Sequence, residues 1–166
     1  LTIGNLYGRS VRLDIYANDA AGKQYDIEVQ QEDKGARPER ARLNSALFDS
    51  RLTTAGESYA ELPETYIIFI TANDLLKDGL PVYTIERTIQ ETGKLFGDRA
   101  HIVYVNGAYR GEDEVGQLMR DFNCNDYRKI QNPKIAARVR YFKEETEGVA
   151  AMCKTMQVIV DREREE

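Results

Sequence analysis

The sequence Val11-Arg-Leu-Asp-Ile-Tyr-Ala-Asn-Asp-Ala-Ala-Gly-Lys-Gln-Tyr-Asp-Ile-Glu-Val-Gln30 predicts a β-hairpin. Apolar and polar residues alternate from Val11 to Ala17, and the alternation resumes from Gln24 to Gln30, which is typical of two half-buried strands. Between them, the segment Asn18-Asp-Ala-Ala-Gly22 supplies the residues that favour a tight turn. The two strands are therefore expected to pair in an antiparallel manner.

The alternation also predicts the register of this hairpin. If the turn lies midway between the strands, residues whose numbers sum to 42 face each other, which pairs Ile15 with Ile27 and Asp14 with Glu28. A slip by one residue would place apolar groups opposite polar ones, so the pattern itself favours this pairing. One polar face is then expected to carry Asp14, Glu28 and Gln30 together.

Two carboxylates that face each other across a sheet repel, and the predicted Asp14–Glu28 pair has this arrangement. A hard divalent ion such as Mg²⁺ prefers oxygen ligands and could lie between them. Such an ion can polarise a phosphodiester and activate water, and Gln30 would be placed to orient that water. The alternative is a solvated hairpin face whose acids bind nothing, because polar faces of antiparallel sheets are common.

The remaining sequence predicts an α/β domain (an α+β mixed sheet), with antiparallel hairpins first and C-terminal helices last. After the hairpin we expect a helix from Pro38 to Arg51 and a central strand from Tyr66 to Ile70. Further elements are expected as strands at Thr2 to Tyr7, Val82 to Ile89 and His101 to Val105, and as helices with core stripes at Val115 to Phe122, Ile135 to Phe142 and Val149 to Met156. We expect a single domain over residues 1–160 and a charged tail over residues 161–166.

Composition limits the classes of function. The 166 residues are 42% hydrophobic and 31% charged, which favours neither a disordered nor a membrane protein. The net charge of −5 counts against a dedicated nucleic-acid-binding module, although a nuclease could still meet DNA through a local basic patch and a bound cation. The longest apolar run is too short to span a bilayer and no secretory leader is visible, so a cytoplasmic location is expected.

Histidine and cysteine are too sparse for other common sites. His101 is the only histidine, which excludes a multi-histidine metal site, and its place in an apolar run predicts a strand residue with a satisfied ring. Cys124 and Cys153 are expected to be half-buried thiols and not a disulfide or zinc site.

Several short motifs follow one another in a recognisable order. They are Gly8-Arg-Ser-Val-Arg-Leu-Asp-Ile-Tyr-Ala17, Tyr25-Asp-Ile-Glu-Val-Gln30, Arg40-Ala-Arg42, Gly56-Glu-Ser-Tyr-Ala-Glu-Leu-Pro-Glu-Thr-Tyr-Ile-Ile-Phe-Ile70, Ile85-Glu-Arg87, His101-Ile-Val-Tyr-Val-Asn-Gly107 and Arg138-Val-Arg-Tyr-Phe-Lys143. From Gly8 to Met156, the sequence resembles the PD-(D/E)xK nuclease family transposases, which are related to the recombination-promoting nucleases of bacteria.

The resemblance implies a restriction-endonuclease-like core in which Asp14 and Glu28 are the acidic metal ligands. Gln30 matches the position that is lysine in the general motif. Lysine can stabilise negative charge on the attacking water or the phosphorane, whereas glutamine can only form hydrogen bonds. Lys23 and Lys34 are candidates for the missing cation.

The sequence departs from the family pattern at two further places. The general fold begins with a helix before the first strand, whereas this sequence starts at the strand, so we expect that the N-terminal helix is absent or has been trimmed away. Relatives also tend to carry a tyrosine directly after the Arg-Ala-Arg segment, where this chain has Leu43-Asn44. Both departures leave open a protein with weak or no activity.

The expected function is a metal-dependent DNA endonuclease of transposase-associated type, a phosphodiester hydrolase that uses Mg²⁺ or Mn²⁺ in DNA recombination. Asp14, Glu28 and Gln30 are the expected catalytic residues, and Arg40 and Arg42 are expected to contact DNA phosphates. Arg40 has an equal alternative role, in which it pairs with a carboxylate and holds the helix to the hairpin.

Two other functions stay open. One is an inactive DNA-binding or regulatory domain of the same fold, and the other is a structural domain without a ligand. DNA is the expected partner and a membrane is not, whereas cutting both strands would suit a homodimer.

Overall fold

The structure is a computed structural model that describes residues 2–3, 11–12, 15–30, 33–54, 56–124 and 126–144. The chain divides into two compact units, Leu1–Tyr109 and Arg110–Glu166. The predicted hairpin and central strand belong to the first unit, and the last two described helices belong to the second. Each unit is described by itself.

The described residues form seven strands and three α-helices. The strands are β1 (Thr2–Ile3), β2 (Val11–Arg12), β3 (Ile15–Asn18), β4 (Gln24–Gln30), β5 (Thr65–Thr71), β6 (Val82–Ile85) and β7 (Ala100–Asn106). The helices are α1 (Pro38–Leu52), α2 (Glu114–Phe122) and α3 (Pro133–Glu144), with short 3₁₀ turns at Asp33–Ala36, Tyr59–Glu61 and Tyr127–Lys129.

Five of the strands form one mixed sheet in the order β3-β4-β5-β7-β6, and β1 pairs separately with β2. The middle strands β4, β5 and β7 run parallel to one another, whereas the edge strands β3 and β6 are antiparallel to their neighbours. Strand β5 lies at the centre, as its continuous apolar run predicted. The α/β class of the sequence prediction is confirmed.

The register of the hairpin is confirmed wherever the structure describes it. Ile15 faces Ile27 and Tyr16 faces Asp26, so the numbers of paired residues sum to 42 as predicted. The predicted opposition of Asp14 to Glu28 lies outside the described residues.

The acid-bearing face of the hairpin belongs to the hydrophobic core. Glu28 lies beside Phe69 of β5 in the parallel register, and both side chains are fully buried on the face that α1 covers. On the opposite face, Ile15 is 50% exposed and Val29 47% exposed. The alternative of a solvated polar face is therefore wrong for Glu28, because helix α1 packs over it.

The core under α1 is built from both layers. Its fully buried side chains include Phe48 of α1 and Ile67 of β5. Tyr104 of β7 stacks on Phe69, with 5.5 Å between the ring centroids. Burial of large apolar side chains on both sides fixes α1 over strands β4, β5 and β7. This packing determines which residues of α1 can reach β4.

Strand β6 is shorter than predicted. It ends at Ile85, whereas the alternation predicted a strand to Ile89. The chain beyond it pairs with itself: Thr88 bridges Leu95, and the amide of Ile89 donates to the carbonyl of Lys94 at 2.8 Å. The apolar alternation therefore continues in a second, local pairing that does not belong to the five-stranded sheet.

The second unit contains the predicted helices α2 and α3. Helix α2 begins after Asp113, whose carboxylate accepts a hydrogen bond from the amide of Gly116 at 2.8 Å. Met119 is buried as predicted, but Phe122 is 51% exposed and its assignment to a core stripe is wrong. Phe122 is the last residue of α2, and among the described residues no element covers it there.

Two further expectations concern the ends of the described chain. Cys124 is a half-buried free thiol, as predicted, whereas Cys153 and the predicted helix from Val149 to Met156 lie outside the described residues. Within the described ranges, no helix has both the length and the apolar character needed to cross a membrane.

Candidate functional site

Glu28, Gln30 and Arg40 form a hydrogen-bonded network between β4 and α1. The Nη2 atom of Arg40 donates to Oε2 of Glu28 at 2.8 Å, and the Nε2 atom of Gln30 donates to the same oxygen at 3.2 Å. The Nη1 atom of Arg40 also donates to Oε1 of Gln30 at 3.3 Å. We name these three residues the Glu28 network. Glu28 and Gln30 share a face because side chains two residues apart in a strand point the same way.

Helix α1 brings Arg40 to this network because it begins just before it. Pro38 occupies the first turn, where a missing amide hydrogen is tolerated, and the preceding Arg37 is extended. Arg40 lies in the same first turn and points toward β4. One of the two roles expected for it, pairing with a carboxylate and linking the helix to the hairpin, is thus observed.

The turn that connects β4 to α1 is anchored in the core. The Tyr104 hydroxyl donates to the carbonyl of Ala36 at 2.7 Å, and both residues are buried. Burial, and to a smaller extent the charge of Glu39, raises the pKa of Tyr104 to about 12. The phenol therefore stays protonated at neutral pH and keeps this hydrogen bond, which holds the connecting turn in place.

Gly35 makes room for the Gln30 amide. A Cβ atom at this position would lie 1.9 Å from Oε1 of Gln30 and 3.4 Å from Nη1 of Arg40. Only a glycine lets the Gln30 amide lie where it bonds to Arg40. The sequence reasoning missed this residue, although a glycine between a strand and a helix can mark a close approach of the backbone to another group.

Asn44 is a second residue that the sequence reasoning did not assign to the site. It is fully buried, and neither its Oδ1 nor its Nδ2 atom has a hydrogen-bond partner among the residues that the structure describes. It lies one helical turn after Arg40, so both occupy the same side of α1. A buried amide without partners costs about 1–3 kcal/mol, which favours a ligand or water beside it.

The charges of the network are unequally exposed. The Glu28 side chain is fully buried, whereas the Arg40 side chain is 38% exposed. A buried carboxylate is costly unless a cation and hydrogen bonds compensate it. Arg40 supplies this compensation from the solvent side of the network, where water and solutes also have access to its guanidinium.

Other predicted site residues lie elsewhere. Asp14 lies outside the described residues, as does the side chain of Lys34. The Nζ atom of Lys23 bonds to Glu64 at 3.1 Å, so its proposed role as the missing cation beside Gln30 is wrong. Arg42 is exposed and lies two residues after Arg40, on another side of α1.

His101 has a satisfied ring, as predicted. Its Nδ1 atom lies 2.7 Å from Oε1 of Glu86, its Nε2 atom lies 3.3 Å from Oε1 of Glu64, and its ring stacks on Tyr66. Glu64 also accepts hydrogen bonds from Tyr66 and Lys23, and these hold the pKa of its carboxyl below the usual range. This cluster joins the ends of neighbouring strands and does not include any residue of the Glu28 network.

The chemistry of the Glu28 network fits a hard cation. Glu28 and Gln30 offer only oxygen ligands, which Mg²⁺ and Mn²⁺ prefer and which zinc sites seldom use alone. The partnerless amide of Asn44 adds a further oxygen on the same side of α1 as Arg40. In the described part of the chain, no three His, Cys, Asp or Glu residues are arranged to hold a metal.

Comparisons with known proteins bear on the first unit. A family model for the PD-(D/E)XK nuclease family transposases matches residues 5–108, which is most of that unit and more than half of the chain. Comparison with curated proteins and with solved structures finds no match. The mixed five-stranded sheet with its helices is consistent with the restriction-endonuclease-like fold of this family, whose nucleases generally use divalent metals. The chain therefore belongs to the PD-(D/E)XK nuclease family transposases.

Proposed function

We propose that the chain is a metal-dependent DNA endonuclease of transposase-associated type, which hydrolyses phosphodiester bonds with Mg²⁺ or Mn²⁺. The observation that carries the proposal is the Glu28 network: a fully buried carboxylate joined to a polar amide and an arginine, in a chain of a nuclease family. Its setting would be DNA recombination in a bacterial cytoplasm, and cleavage of both strands would suit a homodimer.

Glu28 and Asp14 would hold the divalent cation. When bound, the cation supplies Lewis-acid polarisation of the phosphate and lowers the pKa of water. Gln30 then has the task of orienting the attacking water, because its amide can both donate and accept a hydrogen bond. Gly35 keeps that amide in place by leaving its oxygen room.

Arg40 is the proposed source of the positive charge that lysine gives in the general motif. Its Nη1 atom lies 3.3 Å from the Gln30 amide oxygen, so a permanent cation stands next to the residue that replaced lysine. A guanidinium can stabilise a negatively charged phosphorane through two directed hydrogen bonds. Arg42, exposed on another side of α1, would contact the DNA backbone farther from the reacting phosphate.

Nicking of supercoiled DNA tests this function. The wild-type protein should convert supercoiled plasmid to the open-circular form when Mg²⁺ or Mn²⁺ is present, and EDTA should prevent it. Glu28→Gln should lose this activity, whereas Glu64→Gln, a matched change in the same unit outside the network, should keep it. Nicking by Glu28→Gln at the wild-type rate would contradict the proposal.

A second function is favoured by one observation, the glutamine at position 30 where the general motif has lysine. It is a DNA-binding or regulatory domain of the same fold without cleavage. Binding of duplex DNA without nicking, in either metal, would support this second function. Loss of nicking in Arg40→Gln, with DNA binding retained, would instead support Arg40 as the cation of an active enzyme.

A further inference from the structure

Two buried asparagines of the first unit differ in what their amides bond to. In Asn106 of β7, the Nδ2 atom donates to the carbonyl of Leu80 at 3.2 Å, and Oδ1 accepts from the amide of Ala108 at 3.0 Å. In Asn44 of α1, which is fully buried, neither Oδ1 nor Nδ2 has a partner among the residues that the structure describes. Within those residues the fold satisfies one amide and leaves the other available to a ligand.

The direction of α1 over the sheet locates Asn44 along β4. Near the start of the helix, Arg40 bonds to Glu28, and near its end, Oδ1 of Asp49 accepts a hydrogen bond from the Thr65 hydroxyl at 3.1 Å. Thr65 begins β5 beside the start of β4, so α1 runs in the opposite direction to β4. Asn44 follows Arg40 by about 6 Å of helical rise, which is close to the length of two strand residues. It therefore stands at the level of the two residues of β4 that end at Glu28.

The side of α1 that carries Asn44 faces the hairpin. Arg40 and Phe48 lie four residues before and after Asn44, so the three share one side of the helix. Arg40 bonds to Glu28 of β4, and the Phe48 ring packs edge-on against the Tyr16 ring of β3, with 5.9 Å between the centroids. Asn44 lies between these two contacts, on the side of α1 that faces the strand with the buried acids.

The surroundings of Asn44 are acidic. Asp26 and Glu28 are both fully buried, and they point to the same side of the sheet because they are two residues apart in β4. An asparagine with a structural role would donate its Nδ2 hydrogens to such a carboxylate, and the Asn44 amide does not. A buried amide that makes no bond to the fold is expected to serve a group that is bound from outside.

We propose that Asn44 is a binding residue beside the Glu28 network, whose Oδ1 atom holds the divalent cation directly or through one of the waters that Mg²⁺ retains. An amide oxygen is a hard, uncharged ligand, so it supports the cation without adding to the negative charge that is already buried there. An amide kept unbonded for a ligand lowers the stability of the metal-free protein. The proposal rests on the proposed function, from which it takes the cation at Glu28.

Thermal melting in EDTA and calorimetry of Mn²⁺ binding, both on the full chain, test the proposal. Asn44→Leu removes the unbonded amide, so its midpoint in EDTA should equal or exceed that of the wild type, whereas its affinity for Mn²⁺ should fall about tenfold. Asn106→Leu, the matched change of a bonded asparagine, should show the reverse, a lower midpoint in EDTA and the wild-type affinity for Mn²⁺. A purely structural role of Asn44 would lower the midpoint and leave the affinity unchanged.

Asn44→Asp decides the case if leucine does not fit and the protein fails to fold. Aspartate keeps the shape and the oxygen and adds a charge, so Mn²⁺ should raise the melting midpoint of this variant by more than that of the wild type. Equal increases in the two midpoints would overturn the proposal. If Asn44→Leu binds Mn²⁺ as the wild type does while Glu28→Gln has lost binding, this proposal fails and the proposed function stands. If Glu28→Gln also binds Mn²⁺ normally, the proposed function fails with it.

Discussion

Glu28 and Asp121 are both buried carboxylates, but the chain compensates them in different ways. Glu28 accepts hydrogen bonds from two side chains, Gln30 and Arg40. Asp121, in the second unit, accepts backbone hydrogen bonds from Gln131 at 3.0 Å and Asn132 at 2.8 Å, and a side-chain bond from Gln117 at 3.1 Å. These two contacts to Glu28 come from side chains, whereas two of the three contacts to Asp121 come from the backbone.

We interpret this difference in contacts as the difference between a reactive carboxylate, Glu28, and a structural carboxylate, Asp121. The backbone bond from Gln131 is the largest cause that holds the pKa of Asp121 below its usual range, so this carboxylate is stabilised as an anion by the fold. It ties the end of α2 to the start of α3. Glu28 pairs with the partly exposed Arg40, and an arginine side chain can exchange a carboxylate for a phosphate.

Removal of the Glu28 charge gives the largest expected effect. Glu28→Gln should lower the nicking rate by about 100-fold or more, the size typical of losing one group that stabilises a transition state. Its melting midpoint should change little, because the amide oxygen can still accept the bond from Arg40. Plasmid nicking and thermal melting, measured on the same preparation, check both parts. A large drop in midpoint would assign Glu28 the structural role that we give to Asp121.

Removal of Arg40 should lower the stability of the first unit in addition to its nicking activity. Arg40→Met removes the guanidinium that pairs with the buried Glu28 carboxylate, a loss that costs about 3–5 kcal/mol in a fully buried pair. The 38% exposure of the arginine reduces the expected loss to about 1–3 kcal/mol. Urea unfolding measures this loss, and Arg51→Met, an exposed arginine of the same helix, is the matched control. Equal losses in the two variants would show that the Glu28–Arg40 pair contributes no more to the free energy of unfolding than an exposed arginine of α1 does.

Asp121→Asn should lower the melting midpoint and leave nicking by the first unit unchanged. Because its folded pKa is lowered, the stabilisation by Asp121 is fully present above the ordinary carboxyl pKa of about 4 and is lost as the pH falls through the folded pKa. Midpoints of wild type and variant should therefore differ at pH 7 and converge in acid. A difference that stays constant down to pH 2 would contradict the electrostatic account of this residue.

A methyl group at position 35 gives the smallest expected effect on stability. Gly35→Ala displaces the Gln30 amide, whose end is a movable side chain, so unfolding should change by less than about 1 kcal/mol. Nicking should nevertheless fall by about tenfold, since displacements of about 1 Å at a reacting centre have effects of this order or larger. Gly22→Ala strains a turn residue whose φ is +83° but has no neighbouring atoms to displace, so it serves as the contrast for activity. Normal nicking by Gly35→Ala would remove Gln30 from the mechanism.

The sequence predicted the parts of the fold that depend on local pattern. Alternation gave the β3–β4 register, and Pro38 marked the start of α1 within the expected turn. The end of β6 was mispredicted because the pattern through Ile89 is the same whether the strand extends β6 or pairs with Lys94 nearby. Alternation of apolar and polar residues shows that the two faces of a strand differ. It does not show which other strand it pairs with.

The candidate site was predicted only in part for a similar reason. Glu28 and Gln30 were placed on one face, yet the burial of Glu28 under α1 depends on how a helix packs over the sheet, which the periodicity of β4 does not show. Gly35 and Asn44 matter through close approach and burial, and these appear only once the layers are assembled. Arg40 could be assigned two roles from the sequence, and the structure shows the contact with Glu28.

Binding of Mn²⁺ to the full chain, followed by calorimetry or by the electron paramagnetic resonance signal of the free ion, tests the central claim most directly. The wild-type protein should take up Mn²⁺ in competition with Mg²⁺, Glu28→Gln should lose this binding, and Asp121→Asn should retain it. Uptake of Mn²⁺ by Glu28→Gln with the affinity of the wild type would contradict the assignment of Glu28 as a metal ligand.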